Sequence, residues 1–401
     1  MTKVSSSNGL EKRPKLRFPG FDEPYKKCLI GDVYAERSQR GAGDMELLSV
    51  TMNDGVIPRS EIEGKDNSSE NKRNYKVVCK GDMVYNSMRM WQGANGVSNY
   101  DGIVSPAYTV LMPTKDIDNQ YFASLFKTSN LINEFRKNSQ GLTSDTWNLK
   151  YLQIRAIKLY IPSLQEQNKI SSFIGTLEER IVKQRQLVEA LKKYKRGAVR
   201  YLLSTKSCPL RNARWTTAKI GELGSFVKGA PLSKADISED GTPFILYGEL
   251  YTTYNEVVTS IKRRTKAQVD EIFLSHVGDV VIPTSGETPE EISTASCIML
   301  PNVILAGDLN IFRGDKVDGR ILSYLLNHVV NTKIARIAQG KSVVHIQASE
   351  LCKLTLTYPD KNTQKTIIGF LSLLNDKIMN EENSLAFLSD LKEGLMQQLF
   401  I

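Results

Sequence analysis

No stretch of this chain approaches about 18 consecutive apolar residues, so no membrane-spanning helix is expected. Met1 to Arg17 is polar and lysine-rich and lacks an apolar signal core. Residues 1–24 therefore read as an N-terminal tail, and a cytoplasmic protein is expected. Cysteine is sparse and scattered. Cys28, Cys79, Cys208, Cys297 and Cys352 include no CxxC pair and have no histidine at ligand spacing. That pattern speaks against a zinc site and against a disulfide framework. His276, His328 and His345 are too far apart for a local metal motif.

Catalytic signatures are also missing. Gly340-Lys341-Ser342 resembles the tail of a nucleotide-binding loop, but Ala335 stands where its first glycine belongs. There is no GxGxxG fingerprint, no Asn-Pro-Pro-aromatic loop of the kind that holds a flipped base, and no Gly-x-Ser-x-Gly elbow. Asp54 with Glu63 and Lys65 could hold a metal ion for phosphodiester cleavage, but the stretch is polar and reads more simply as a solvated loop. No catalytic residue, metal ligand or cofactor is expected in this chain.

What the chain does have is positive charge and length. Lys and Arg number 53 against 44 Asp and Glu, a net charge of +9, which favours a polyanionic partner, nucleic acid first. With 41% hydrophobic and 24% charged residues, the 401-residue chain has the balance of a globular protein of two or three domains.

The chain is written twice. Tyr25 to Val33 reads YKKCLIGDV and Trp215 to Leu223 reads WTTAKIGEL, at an offset of 190. KGDMVY (Lys80 to Tyr85) and VGDVVI (Val277 to Ile282) follow at an offset of 197. SQGL (Ser139 to Leu142) and AQGK (Ala338 to Lys341) stand at 199, followed by Trp147 or His345 and then Leu152 or Leu351. Ile161-Pro162 matches Tyr358-Pro359 at 197, and Gln167, Ile170, Ile174, Leu177 and Ile181 match Gln364, Ile367, Leu371, Leu374 and Ile378 at the same offset. Each match is weak alone; their shared order is not.

After each proline the spacing predicts a long helix. From Gln165 to Leu203, Ile170, Ile174, Leu177, Ile181, Val188, Leu191, Ala198 and Leu202 form a heptad seam, interrupted at Gln184 and Lys195. The second copy interrupts its seam at Glu381 and Lys392, the corresponding places. At 1.5 Å per residue such a helix spans roughly 58 Å. The first helix is basic (Lys192, Lys193, Lys195, Arg196, Arg200) and the second mildly acidic, which favours their pairing as a spacer. The expected organisation is a domain at 25–162, a long helix at 163–205, a second domain at 206–360 and a second long helix at 361–401. Strands are predicted at Tyr75–Cys79, Asp82–Asn86, Tyr108–Met112, Phe244–Tyr247, Asp279–Pro283 and Asp308–Phe312, with one helical stretch per copy at Asp118–Asn138 and Arg320–Ala338. The fold class is α+β for each copy.

These residues carry a family resemblance. Lys15 to Phe21 (KLRFPGF), Ile30-Gly31-Asp32, Lys80 to Val84, Gln140-Gly141, Ile161-Pro162 and Gln167 form one set. Ile220-Gly221-Glu222, Gly278 to Val281, Gln339-Gly340 and Pro359 with Gln364 repeat it, and Gly394 to Phe400 (GLMQQLF) closes the chain. From about residue 14 onward the sequence resembles the specificity subunits of type I restriction–modification systems. The resemblance implies two target-recognition domains separated by two long antiparallel coiled-coil helices with pseudo-twofold symmetry, each domain reading half of a bipartite site in double-stranded DNA. It implies two modification subunits carrying S-adenosylmethionine and adenine-N6 methylation, and restriction subunits using ATP and Mg. Tyr25 stands where the second copy has Trp215, a change expected to affect packing alone.

No base-reading residue carries over by motif, so candidates rest on chemistry: Lys and Arg for phosphates; Arg, Asn, Gln, Ser and Thr for base edges. The loop after the first Gly-Asp strand offers Asn86, Ser87, Arg89 and Gln92; the second offers Thr284 and Ser285. The Gln-Gly loops offer Thr143, Ser144 and Trp147, and Lys341, Ser342 and His345. Arg37, Arg40, Lys228, Lys234, Arg263 and Arg264 complete the set. Each also fits a plain surface role, and Trp91 and Trp147 fit a core position. A self-sufficient nuclease or methyltransferase and a helical adaptor without a DNA role are the rival readings.

Overall fold

The structure, a computed structural model, describes residues 2–3, 12–41, 44–52, 54–66, 68–210, 212–338, 340 and 344–401. The chain forms two compact units, residues 1–185 with 383–401, and residues 186–382. Two helices, Leu164–Leu202 and Lys361–Leu399, each contribute to both units. Among the described residues no helix is long and apolar enough to cross a membrane.

In the first unit Lys26–Leu29 pairs antiparallel with Lys158–Ile161. A four-stranded antiparallel sheet runs in the order Tyr34–Glu36, Tyr108–Pro113, Met83–Asn86, Asn95–Val97. In the second unit Trp215–Lys219 pairs with Thr355–Pro359. Its main sheet runs Ser225–Lys228, Leu309–Arg313, Asp279–Pro283, Ser296–Ile298, with Val257–Val258 added parallel at the edge. The first four strands of the two sheets thus share one order. The difference lies beside them: Gly102–Val104 pairs antiparallel with Lys76–Val78, whereas Ile304–Ala306 pairs parallel with Thr242–Leu246.

The repeated motifs have physical reasons. In Ile-Gly-acid the glycine lies under a short helix. A Cβ on Gly31 would come within 3.0 Å of Arg155 Cβ, and one on Gly221 within 3.0 Å of Cys352 Cβ. The following acid folds back: Asp32 accepts from the Leu29 N–H at 2.7 Å, and Glu222 from the Lys219 N–H at 3.1 Å. In the Gly-Asp turns the glycines take φ of +92° (Gly81) and +99° (Gly278), where a side chain is strained. Asp82 then accepts from the Cys79 N–H, and Asp279 from the His276 N–H. The glutamine after each proline is a clamp. Gln167 donates to the Pro162 carbonyl at 3.0 Å and accepts from the Asp118 N–H at 3.1 Å. Gln364 does the same with Pro359 (2.7 Å) and Asp318 (2.8 Å). One amide thereby ties the first turn of a long helix to the strand before it and to the cap of a domain helix.

That domain helix is two helices in each unit, not one: Asn119–Leu125 and Ser129–Asn138, then Gly319–His328 and Asn331–Ile337. Thr128 turns extended (ψ 147°) and gives its hydroxyl to the Leu125 carbonyl, which ends one helix and starts the next. In the second unit the break falls at the β-branched pair Val329-Val330, where Val330 has ψ 4°.

Each core joins the domain to both long helices. Tyr34, Tyr121, Phe122, Phe126 and Phe135 pack with Ile170, Ile174, Leu399 and Phe400 in the first unit. Val280, Ile282, Phe312, Leu322 and Leu325 pack with Val199, Ile367 and Leu371 in the second. Within each unit the two helical segments run in opposite directions. Lys392–Glu178 (2.6 Å) with Leu399 near Ile170 sets this in the first unit; Lys192–Glu382 (2.8 Å) with Leu371 near Val199 sets it in the second. The KLRFPGF motif anchors the first long helix, because Arg17 reaches Glu166 through two bonds of 2.8 and 2.7 Å and both side chains are buried.

The polar interruptions of the seam are occupied. Lys392 meets Glu178, and Lys195 meets Glu256 at 2.6 Å, whose other oxygen lies 2.6 Å from His328 Nε2. Burial alone would push the Glu256 carboxyl up; the His328 hydrogen bond and the Lys195 charge outweigh it and hold it at about 2.

Two expectations follow. Glu256→Gln should destabilise the second unit by about 3–5 kcal/mol, because Lys195 is left buried without its charge partner. Because this carboxyl sits below its ordinary value in the folded state, its contribution is present above about pH 4.5 and is lost as pH falls toward 2. Amide hydrogen exchange at residues 279–282 across that range checks both. Gln167→Met and Gln364→Met should each cost about 1–3 kcal/mol per orphaned backbone group, with exchange accelerating in the first unit for one and the second for the other.

Candidate nucleic-acid interface

In each unit two loops meet at one backbone hydrogen bond. The Leu149 N–H donates to the Ser87 carbonyl at 2.8 Å in the first unit, and the Ile346 N–H to the Thr284 carbonyl at 2.9 Å in the second. All four positions stand at the offset of 197. The loop after the Gly-Asp strand is thus joined to the exit of the Gln-Gly loop in both copies. The shared junction also corrects the sequence match: at the offset of 197 His345 corresponds to Asn148, and Val344 to Trp147.

In the first unit this junction gathers Asn86, Ser87, Arg89, Gln92, Thr143, Ser144 and Trp147. Trp91 and Trp147 touch edge to face, with ring centres 5.2 Å apart, and the Arg136 guanidinium lies 5.7 Å from the Trp91 ring. The tryptophans are half-buried and form the floor between the loops. Arg89, Thr143 and Ser144 are exposed, and the Arg89 and Ser144 side chains make no hydrogen bond or ion pair among the described residues. Two candidates are spoken for internally. Ser87 is buried and shares its hydroxyl with Thr109 at 2.8 Å, and the Asn86 side chain accepts from the Met88 N–H at 3.0 Å. Gln92 is half-buried.

The second unit gathers Thr284, Ser285 and His345, where Ser285 and His345 are paired β residues. Ser285 is buried and donates to Asp308 at 2.6 Å, so it braces the loop; His345 is exposed. Lys228, exposed at a strand end, pairs with Asn310, whose amide donates to the Ile346 carbonyl at 3.2 Å. Lys341 and Ser342 lie outside the described residues.

The remaining candidates lie elsewhere. Arg37 is largely buried and grips Asp82 through bonds of 2.6 and 3.0 Å, bracing the Gly-Asp turn. The second unit meets the same need from another strand, with Arg313 on Asp279 at 3.1 Å. Arg263 pairs with Glu249 at 2.8 Å, Arg264 donates to the Gly241 carbonyl at 2.8 Å, and Arg40 to the Asn74 carbonyl at 2.6 Å. Lys234 sits exposed in the short turn Lys234–Asp236. Asp54 lies in a hairpin turn bonded to Thr51, and among the described residues no three His, Cys, Asp or Glu side chains gather at metal-binding distance.

Two arginines outside the candidate set flank the same loops. Arg136 and Arg336 are exposed in the last turns of Ser129–Asn138 and Asn331–Ile337, just before the Gln-Gly loops. They stand at an offset of 200, as do the helix caps Asp118 and Asp318, and that offset was the available signal.

Comparison with known proteins agrees with this duplicated arrangement. The family described as type I restriction modification DNA specificity domain matches residues 34–192 and again 212–387. A protein of Methanocaldococcus jannaschii named as the MjaX type I restriction enzyme specificity subunit is 22% identical over 367 residues, covering 84% of this chain and 81% of its own. The fold is similar to that of the type I restriction–modification S subunit from M. genitalium, with a TM-score of 0.59, 14% identity and coverage of 97% and 99%. A chain from a structural study of complex assembly in the type I restriction–modification system gives a TM-score of 0.59 at 16% identity, covering 96% and 99%. With both halves of the chain matched in tandem, this protein belongs to the type I restriction–modification specificity-subunit family.

Proposed function

We propose that this chain is the non-catalytic, sequence-specific DNA-binding subunit of a cytoplasmic type I complex, reading a bipartite, asymmetric site in double-stranded DNA with one half assigned to each unit. The observation that carries this reading is the repeated loop junction. Leu149–Ser87 and Ile346–Thr284 are the same backbone bond in the two units, while the side chains around it differ: Arg89, Thr143 and Ser144 in one unit, His345 and Lys228 in the other. A shared junction that carries unlike donors and acceptors suits a site whose halves have unlike sequences. The target-recognition domains comprise residues 25–162 and 206–360. The two long helices form an antiparallel coiled coil with pseudo-twofold symmetry, and its length sets the spacer between the half-sites.

The same helices scaffold the enzymatic partners. Off the seam they expose apolar side chains that recur at the offset of 197: Val182 with Met379, and Tyr194 with Leu391. Two such patches suit two modification subunits. S-adenosylmethionine acts on those subunits, and ATP with Mg on the restriction subunits.

The test is binding of the assembled complex, this chain with its modification subunits, to duplexes carrying the site found by mapping methylated adenines. Arg89→Ala, Arg136→Ala and Arg336→Ala should weaken binding. A phosphate contact should lose affinity on all sequences alike and lower the salt slope by about 1; a base contact should cost about 1–3 kcal/mol at one base position. Arg37→Ala should instead destabilise the first unit and leave site preference unchanged. Unaltered affinity in all three exposed-arginine variants would remove these loops from the interface, and binding independent of salt would argue against DNA reading altogether.

A further inference from the structure

Leu142 is an apolar side chain placed wholly in water, at 101% of its reference exposure. Isolated apolar residues on a surface are ordinary. This one stands at the tip of a loop built to hold it still. Gln140 and Asn148 exchange backbone hydrogen bonds of 3.0 and 2.8 Å and close the loop at its neck. Inside, the Thr143 carbonyl accepts from the Thr146 N–H at 3.0 Å and from the Thr146 hydroxyl at 2.9 Å. Gly141, with φ +150°, lies so close that a Cβ would stand 2.6 Å from the Thr146 carbonyl oxygen. The neighbour of the leucine must therefore be glycine, and the tip keeps one shape.

The surroundings are those of a nucleic-acid contact. The same loop carries Trp147, which packs on Trp91 with Arg136 against that ring; Arg89, Thr143, Ser144 and Lys150 are exposed nearby in sequence or across the junction, against one loop carboxylate, Asp145. A rigid apolar point flanked by phosphate-binding groups matches the side chains that enter between base pairs and unstack a step. Preorganisation matters here, because a floppy tip would lose on ordering what it gained on insertion. In the sequence match Leu142 corresponds to Lys341, a cation, so the feature belongs to one unit.

We propose that Leu142 is a wedge that enters the base stack of the half-site read by the first unit, making a flexible pyrimidine–purine step part of that half-site. The proposal rests on the DNA-reading function above. Pyrimidine–purine steps unstack most readily, so the wedge reads deformability rather than a hydrogen-bond pattern.

The experiment uses the assembled complex and duplexes of the mapped site with 2-aminopurine placed at successive positions of each half. The wild-type complex should raise the fluorescence at one step of a single half-site. Leu142→Ala, a change at a fully exposed position, should abolish that rise and weaken binding about tenfold, while Leu142→Met retains most of both. If Leu142→Ala binds the site with unchanged affinity and the same fluorescence profile, the wedge is wrong and DNA reading stands. If that variant leaves DNA binding intact but weakens assembly with the modification subunits, Leu142 is a protein contact and the wedge is again wrong. If the wild-type complex has no site-specific binding, the reading beneath the proposal fails with it.

Discussion

A single backbone hydrogen bond, made once in each unit, fixes where two loops meet. Leu149 N–H to Ser87 and Ile346 N–H to Thr284 each fasten the loop after a Gly-Asp strand to the exit of a Gln-Gly loop. A backbone bond constrains position and leaves side-chain identity free. The loops can therefore vary in chemistry while their frame stays fixed. Around that frame the structure spends its repeated residues on support. Gly81 and Gly278 make the turns, Asp82 and Asp279 close them, and Arg37 or Arg313 neutralises the acid from whichever strand can reach it. The change of strand for that arginine shows that the requirement is a charge beside the aspartate, not a particular sequence position.

The glutamine clamps make a second level of constraint. Gln167 and Gln364 use both ends of one amide to bind a carbonyl after a strand and an N–H at a domain-helix cap. A long helix held only by a hydrophobic seam could slide by a heptad at modest cost; a polar group with a fixed partner forbids it. Lys195 on Glu256 and Lys392 on Glu178 act alike, each fixing a register within its own unit. Polar interruptions that look like defects in the heptads are the places where helix and neighbour are pinned.

Much of this was legible in the sequence. The duplication, the α+β character, the strands at Asp82–Asn86 and Asp279–Pro283 and the two long helices follow from spacing and period, which survive without knowledge of contacts. The break at Thr128 was not legible, since Thr can continue a helix and its use as a turn depends on the Leu125 carbonyl being free to accept. Candidate contacts divided by burial. Arg89, Thr143, Ser144 and His345 are exposed at the junctions, whereas Ser87, Ser285 and Arg37 serve the fold. Residue type alone does not separate these, because a serine hydroxyl or guanidinium serves a carboxylate inside the protein as well as a base or phosphate outside it. Arg136 escaped notice because the ring it lies against, Trp91, is distant in sequence.

Two repeated junctions that carry independent readings would let one half of a DNA site change without the other. Mapping of methylated adenines in cells that carry the complete system, with this chain bearing Arg89→Ala, Thr143→Ala and Ser144→Ala together, tests it directly. The expected result is that one half of the methylated site becomes degenerate while the other half and the distance between them are retained. A single undivided site, or loss of preference in both halves at once, would contradict it.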